Sequence, residues 1–398
     1  MNAARRARFA LGAIALLGAL ASSSVHAQGR PDVARLAPGA MAWQASGLGA
    51  IRGVTIGPIE SSLHPGRGYG SRAFERTTDE ARRLGATWIS LTPFGRVADL
   101  APSGIDPTFE APFAENRRAV ARAIVDAHRR GLRVLVVPHL WVELPGDHWR
   151  GRIDPGTDEG WQRWAASYRR FVLEWARIAE AEGADMLAIG VELRSFATTT
   201  RGPLLESIIA DVRKSYHGLL TYAANWDDVF DTVILGQLDV IGLNAFFPLD
   251  DHPGANLAAL REGGRRIADR MRTLAETWQK PVLFTEMGYT TRKDAAIEPW
   301  KWPDGMTDVV IDQRSQAEAY TALLEPLVDA PWFAGFFVWR LYADPDDMSQ
   351  EAEWGFSPRG KEAELVVRDA FAARWAADGT WASGGGFVTP KATGIGRF

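Results

Sequence analysis

The chain reads as an α/β protein folded into a single (β/α)8 TIM barrel. Eight apolar, strand-like runs alternate with amphipathic helical stretches over about 300 residues, and several of those stretches stop at a glycine of the kind that closes a helix, as at Gly85, Gly131 and Gly183. An open doubly wound sheet would instead want a glycine-rich phosphate turn after its first strand. The "GPIESS" found there is not one.

The elements follow in order. Residues 1–27 have the form of a signal peptide: Arg5, Arg6 and Arg8 precede an apolar stretch at 9–21, and Val25-His26-Ala27 offers a small-x-small cleavage site. That stretch is too short for a spanning helix and no later one is offered, so a soluble protein, secreted or periplasmic and off the membrane once the signal is removed, is expected. Residues 28–49 read as a leader. The barrel, 50–375, carries the runs "IRGVTIGP", "TWISLTPFG", "RVLVVPHLW", "MLAIGVEL", "LLTYAANW", "VIGLNAFF", "PVLFTEMGY" and "FAGFFVWRL", with helices expected at 71–84, 114–130, 160–182, 203–216, 255–279 and 313–327. Residues 376–398 are a glycine-rich flexible tail.

Composition narrows the function. A net charge of −4 with basic residues scattered over the helices argues against nucleic acid as a ligand, and zero cysteines exclude disulfides and thiolate metal sites. Sixteen Trp in 398 residues stand out. Most belong in a core, but the remainder suit stacking on sugar faces. A monomer that needs neither metal nor other cofactor is expected.

Strand parity locates the polar residues. Alternate residues of a barrel strand face the interior. Counted this way, Glu192 ends the inward face of the fourth run with Met186, Ala188 and Gly190, and Glu286 ends that of the seventh with Val282 and Phe284. Asn225, Asn244, His139 and Trp339 fall at the same ends of the fifth, sixth, third and eighth runs. Active sites of such barrels sit at this end. A single strand-end Glu is as readily one half of a buried ion pair. Two of them with amide and aromatic company suit glycoside hydrolysis, in which one carboxyl protonates the leaving oxygen while the other attacks the anomeric carbon or activates water there. His139 is as easily satisfied within the rim as in contact with substrate.

The blocks "TWISLTP", "PHLW", "WRGRIDP", "IGVEL", "LLTYAANWDD", "LDVIGLNAFFPL", "KPVLFTEMGYTT", "GFFVWRLY" and "GFSPRGK" occur in an order that resembles glycoside hydrolase family 113, β-mannanases of the retaining barrel clan. The resemblance implies Glu192 as acid/base and Glu286 as nucleophile, with Asn225, Trp226 and Asn244 lining the sugar site and Trp339 beneath the sugar. Trp149 and Tyr289 are further expected substrate contacts, and β-mannan or mannooligosaccharide is the implied substrate. The chain departs from the pattern twice. Val191 stands where many clan members place Asn, and Phe246 where the family block has Tyr. Three readings stay open: a glycosidase for mannan or for another β-glycan, a non-catalytic sugar-binding barrel, and a metal-dependent barrel using both Glu residues and His139 as ligands.

Overall fold

In a computed structural model of the chain, the described residues are 39–58, 66–108, 112–144, 146, 148–301, 309–347 and 353–379. The expected signal peptide, residues 28–38 of the expected leader and residues 380–398 of the expected tail lie outside them. The described strands are β1 (Ile51–Gly57), β2 (Trp88–Leu91), β3 (Phe94–Val97), β4 (Arg133–Val136), β5 (His139–Val142), β6 (Met186–Val191), β7 (Leu219–Asn225), β8 (Ile241–Asn244), β9 (Val282–Met287) and β10 (Phe333–Tyr342). Eight of them, in the order β1-β2-β4-β6-β7-β8-β9-β10, close a parallel barrel, with β10 returning onto β1. Gly335 makes that closure possible. Its φ is +138°, and an added Cβ would lie 2.1 Å from the carbonyl oxygen of Ile51.

Two expected runs each divide at a proline, which cannot donate to a ladder. The second becomes β2 and β3, parted at Pro93, and the third becomes β4 and β5, parted at Pro138. The outer halves β3 and β5 pair with each other as a separate two-stranded sheet continuing beyond the barrel. His139 therefore belongs to this extension, held by its backbone N–H on the Pro93 carbonyl at 2.8 Å.

The helices are α1 (Arg72–Leu84), α2 (Phe113–Arg129), α3 (Asp158–Ala181), α4 (Arg194–Ala197), α5 (Gly202–Ser215), α6 (Leu257–Trp278), α7 (Gln313–Leu324) and α8 (Glu362–Ala372). Their ends are set locally. The Ser71 hydroxyl accepts from Phe74 N–H to start α1, Gly85 in the left-handed region ends it, and Thr157, Asn256 and Asp312 cap α3, α6 and α7 in the same way as Ser71. The inner stripe of α3 buries Trp161, Trp164, Tyr168 and Trp175. Tyr168 also ties this helix to the barrel wall, its hydroxyl donating to the Ile189 carbonyl of β6 at 2.7 Å. The six expected helices are present with ends displaced by at most three residues, and the short α4 and the closing α8 are additions to them.

The floor of the barrel draws in residues from both expected flanking segments. Trp43 of the leader is fully buried, and Trp375 stacks on Phe333. Asp378, expected in a flexible tail, is fixed instead: it accepts from the backbone N–H groups of Ala50 and Trp375 and pairs with Arg52 at 2.6 Å. The folded unit thus runs past both expected barrel boundaries.

Candidate active site

Glu192 and Glu286 meet at the C-terminal end of the barrel, but regular alternation does not aim either of them. An added Cβ at Gly190 would lie 2.6 Å from the Tyr168 hydroxyl, so Gly190 faces α3 and not the interior. Between Ala188 and Val191 the pairing of β6 with β7 slips. Glu192 follows with φ +49°, its N–H on the Ala223 carbonyl at 2.8 Å, and this left-handed step turns its side chain into the mouth.

A second slip aims Glu286. Leu243 pairs with Phe284, but Asn244 pairs with Glu286, so β9 carries one extra residue at Thr285. Phe284, expected to point inward, packs against Phe247 and Phe333. Thr285 takes the interior place, and its hydroxyl donates to the Asn244 side chain at 2.9 Å. The extra residue brings Glu286 to the same end.

Each carboxylate has its own surroundings. Glu192 accepts at one oxygen from Trp149 Nε1 at 2.8 Å and at the other from Asn244 Nδ2 at 2.9 Å, and an Arg150 guanidinium nitrogen stands 3.7 Å away. Trp149 is held beneath the Arg194 guanidinium, 4.7 Å from its ring centre, and Arg194 in turn pairs with Asp227 and Asp228. Burial pushes Asp228 up to about 6 even against the pull of Arg194. Glu286 is buried, with one oxygen 3.1 Å from His139 Nε2. Burial pushes its carboxyl well above the usual carboxylate range and the Glu192 charge adds to this, while Arg150, Arg340 and the Asn244 amide pull the other way.

Aromatic rings complete the wall. Trp339 stacks with His139 at 6.2 Å and 24°, and it clusters with Phe246 and Phe356 beside Trp226. Trp226 stacks at 5.2 Å on Trp300, which is exposed. A cavity of 280 Å³ lined by Pro58, Tyr69, Pro93, Phe94 and Arg122 opens at the same end of the barrel. Among the described residues, the one group of three side chains placed to share a cation is Asp250, Asp251 and His252, which includes neither Glu192 nor Glu286.

Two inward carboxyls in an aromatic-walled mouth are the chemistry of glycoside hydrolysis, and the sequence profile described as Glycoside Hydrolase Family 113 matches residues 66–361. The chain belongs to glycoside hydrolase family 113. Solved structures agree in fold. A family 113 β-1,4-mannanase, seen in a complex, superposes with TM-score 0.69 at 23% identity, covering 82% of this chain and 100% of that one. The family 113 β-mannanase of Alicyclobacillus acidocaldarius in complex with ManMIm gives 0.69 at 24%, covering 81% and 97%. A family 5 mannosidase of Rhizomucor miehei gives 0.60 at 12%, covering 81% and 92%. No curated protein matches the chain significantly in sequence.

Within this family 113 barrel the expected site residues divide. Glu192, Glu286, His139, Trp149, Asn244 and Trp339 come together, and Trp226 joins them at the edge of the aromatic cluster. Asn225 does not reach either Glu: its amide donates to Asp227 at 2.8 Å. Tyr289 needs correction. It is fully buried, edge-to-face with Tyr320, and its hydroxyl donates to the Phe247 carbonyl at 3.4 Å, so it presents no surface to the mouth. Arg150, Arg340 and Thr285 were missed. Arg150 adjoins Trp149 in the "WRGRIDP" block and was open to detection there, whereas Thr285 was hidden by the assumption of unbroken alternation.

Proposed function

We propose that this family 113 glycoside hydrolase is a secreted, monomeric, retaining β-mannanase that cleaves β-1,4-mannosidic bonds in mannan or mannooligosaccharides. The observation that carries the reading is that Glu192 and Glu286 are brought to one end of the barrel, Glu192 held there by the Asn244 amide at 2.9 Å and Glu286 beside Asn244 in the β8–β9 pairing. The mannanase neighbours support the substrate class. Glu192 protonates the glycosidic oxygen while Glu286 attacks the anomeric carbon. Water, deprotonated by Glu192, then releases the glycosyl group with its configuration retained. Trp339 lies under the reacting sugar, and the Trp149 and Asn244 donors hold Glu192 in place.

Protonation alone favours the opposite assignment, because Glu286 is the carboxyl that burial pushes up, as expected of an acid. Azide separates the two. Glu192→Ala should lose far more activity on a polysaccharide than on an activated aryl glycoside, and azide should restore turnover as a glycosyl azide of retained configuration. Rescue of Glu286→Ala with retention, and not of Glu192→Ala, would reverse the roles. The first product of the wild type by NMR should be the β anomer, and an α anomer would exclude retention.

A further inference from the structure

The two-stranded extension beyond the barrel has two unlike faces. Its pairing runs without a slip, Phe94 opposite His139, Gly95 opposite Leu140, Arg96 opposite Trp141 and Val97 opposite Val142, so alternate side chains keep to one face throughout. The face of Gly95, Val97, Leu140 and Val142 is packed. Val97, Leu140 and Val142 are buried, and a Cβ added at Gly95 would lie 2.8 Å from the Phe171 ring of α3. The other face starts in the site: His139 lies 3.1 Å from Glu286, stacks with Trp339 and has the Phe94 ring 5.1 Å away.

Trp141 is the next residue of β5 on that second face, about 6.5 Å farther out along the strand. It is 57% exposed. A single exposed aromatic ring is ordinary on a protein surface. What sets this one apart is a firm mount in line with the reacting centre. Arg96, opposite it, is bridged to Asp106 through both backbone groups at 2.7 and 2.9 Å, and Glu143, next along the same face, extends the ladder with its N–H on the Val97 carbonyl at 2.9 Å. The side chains of Arg96 and Glu143 pair at 2.8 Å and stay partly exposed. An open indole ring beside a guanidinium and a carboxylate suits a pyranose, whose apolar face stacks while its rim hydroxyls meet a donor and an acceptor.

We propose that Trp141, with Arg96 and Glu143, forms an outer subsite for the β-glycan chain, holding a sugar unit beyond the one placed above Trp339. The occupant is the substrate itself, because this face is continuous with the wall that receives the reacting sugar. No bond is made or broken there. Trp141 adds affinity for chains long enough to reach it, and the inference rests on the reading of the barrel as a β-mannanase.

The test is chain length. Trp141→Ala should lower kcat/KM about five- to tenfold on mannohexaose, through KM with kcat held, and the loss should shrink as the mannooligosaccharide shortens. Trp141→Phe, which keeps a ring, should recover most of it. A loss equal at every chain length, or none at any, would overturn the subsite. Trp141→Thr, a β-branched residue suited to an open strand, carries the same comparison if the alanine variant does not fold. Sedimentation of the wild type addresses the competing occupant: a monomer supports the proposal, and a dimer that Trp141→Ala separates would give the face to a second copy of the chain and overturn it. Failure of the substrate reading is distinguishable. If the wild type leaves mannooligosaccharides intact and cleaves another β-glycan, a preference for longer chains of that glycan that Trp141→Ala abolishes supports the subsite while the mannanase reading falls.

Discussion

Asn244 anchors Glu192, and replacing it by leucine separates what it does for catalysis from what it does for folding. Leucine is close in shape, so the wholly buried site stays filled. Two hydrogen bonds disappear: Nδ2 to Glu192 at 2.9 Å, and the Thr285 hydroxyl to Oδ1 at 2.9 Å. A hydrogen bond to a charged group contributes about 1.5–3 kcal/mol, which at roughly 1.4 kcal/mol per decade becomes a loss of about 10- to 150-fold in kcat/KM. The Thr285 hydroxyl, left buried without its acceptor, costs about 1–3 kcal/mol of stability, a fall of a few degrees in Tm. Glu192 keeps Trp149 and so is not stranded. Steady-state kinetics on a mannooligosaccharide at the pH plateau, beside a thermal melt, measure both. If kcat/KM stays within threefold of wild type in a folded variant, Asn244 does not hold Glu192 in its working position and the reasoning fails.

Trp149→Phe removes the indole N–H from Glu192 but keeps a ring under Arg194, so kcat/KM should fall about tenfold or more, with a larger loss on a poor leaving group; equal losses on both substrates would deny Trp149 a role through the acid/base. Phe246→Tyr adds a hydroxyl to the wall containing Trp339. A hydrogen bond donated to Glu286 favours its charged form, so the acid limb should move to lower pH, and superimposable limbs in a variant whose hydroxyl contacts Glu286 would show the departure to be neutral. Asp378→Ala removes the partner of Arg52 and should cost about 2–3 kcal/mol without changing kcat. Burial pushes the Asp378 carboxyl up, but hydrogen bonds from Arg52, Trp375 and Ala50 outweigh it and hold the group below its ordinary value. Its contribution is therefore present above the unfolded carboxyl pKa and lost as pH falls through the folded one. A stability difference between wild type and variant that persists unchanged in acid would refute this.

The architecture was legible in the sequence because its signals are local. Apolar runs of strand length, amphipathic stretches between them and glycines at helix ends each act within a few residues, and the ordered blocks carried the family. The two Glu residues were also found, although by a count that the structure does not follow. Strict alternation puts Gly190 and Phe284 inside the barrel, yet one faces Tyr168 of α3 and the other packs on Phe247 and Phe333. What turns Glu192 and Glu286 to the mouth is a slip in each strand pairing and one left-handed residue. These depend on how β6 and β9 register against their neighbours, which is settled only when the barrel closes. The same holds for the contacts that tune the site. Trp149 and Glu192 are 43 residues apart, and His139 and Glu286 are 147 apart, so no window of sequence contains either pair. Tyr289, three residues from Glu286, points away because α7 covers it with Tyr320. The sequence by itself determined which residue types reach the end of the barrel; only the closed sheet decided which of them face one another, because hydrogen-bond register and packing between distant segments set side-chain direction there.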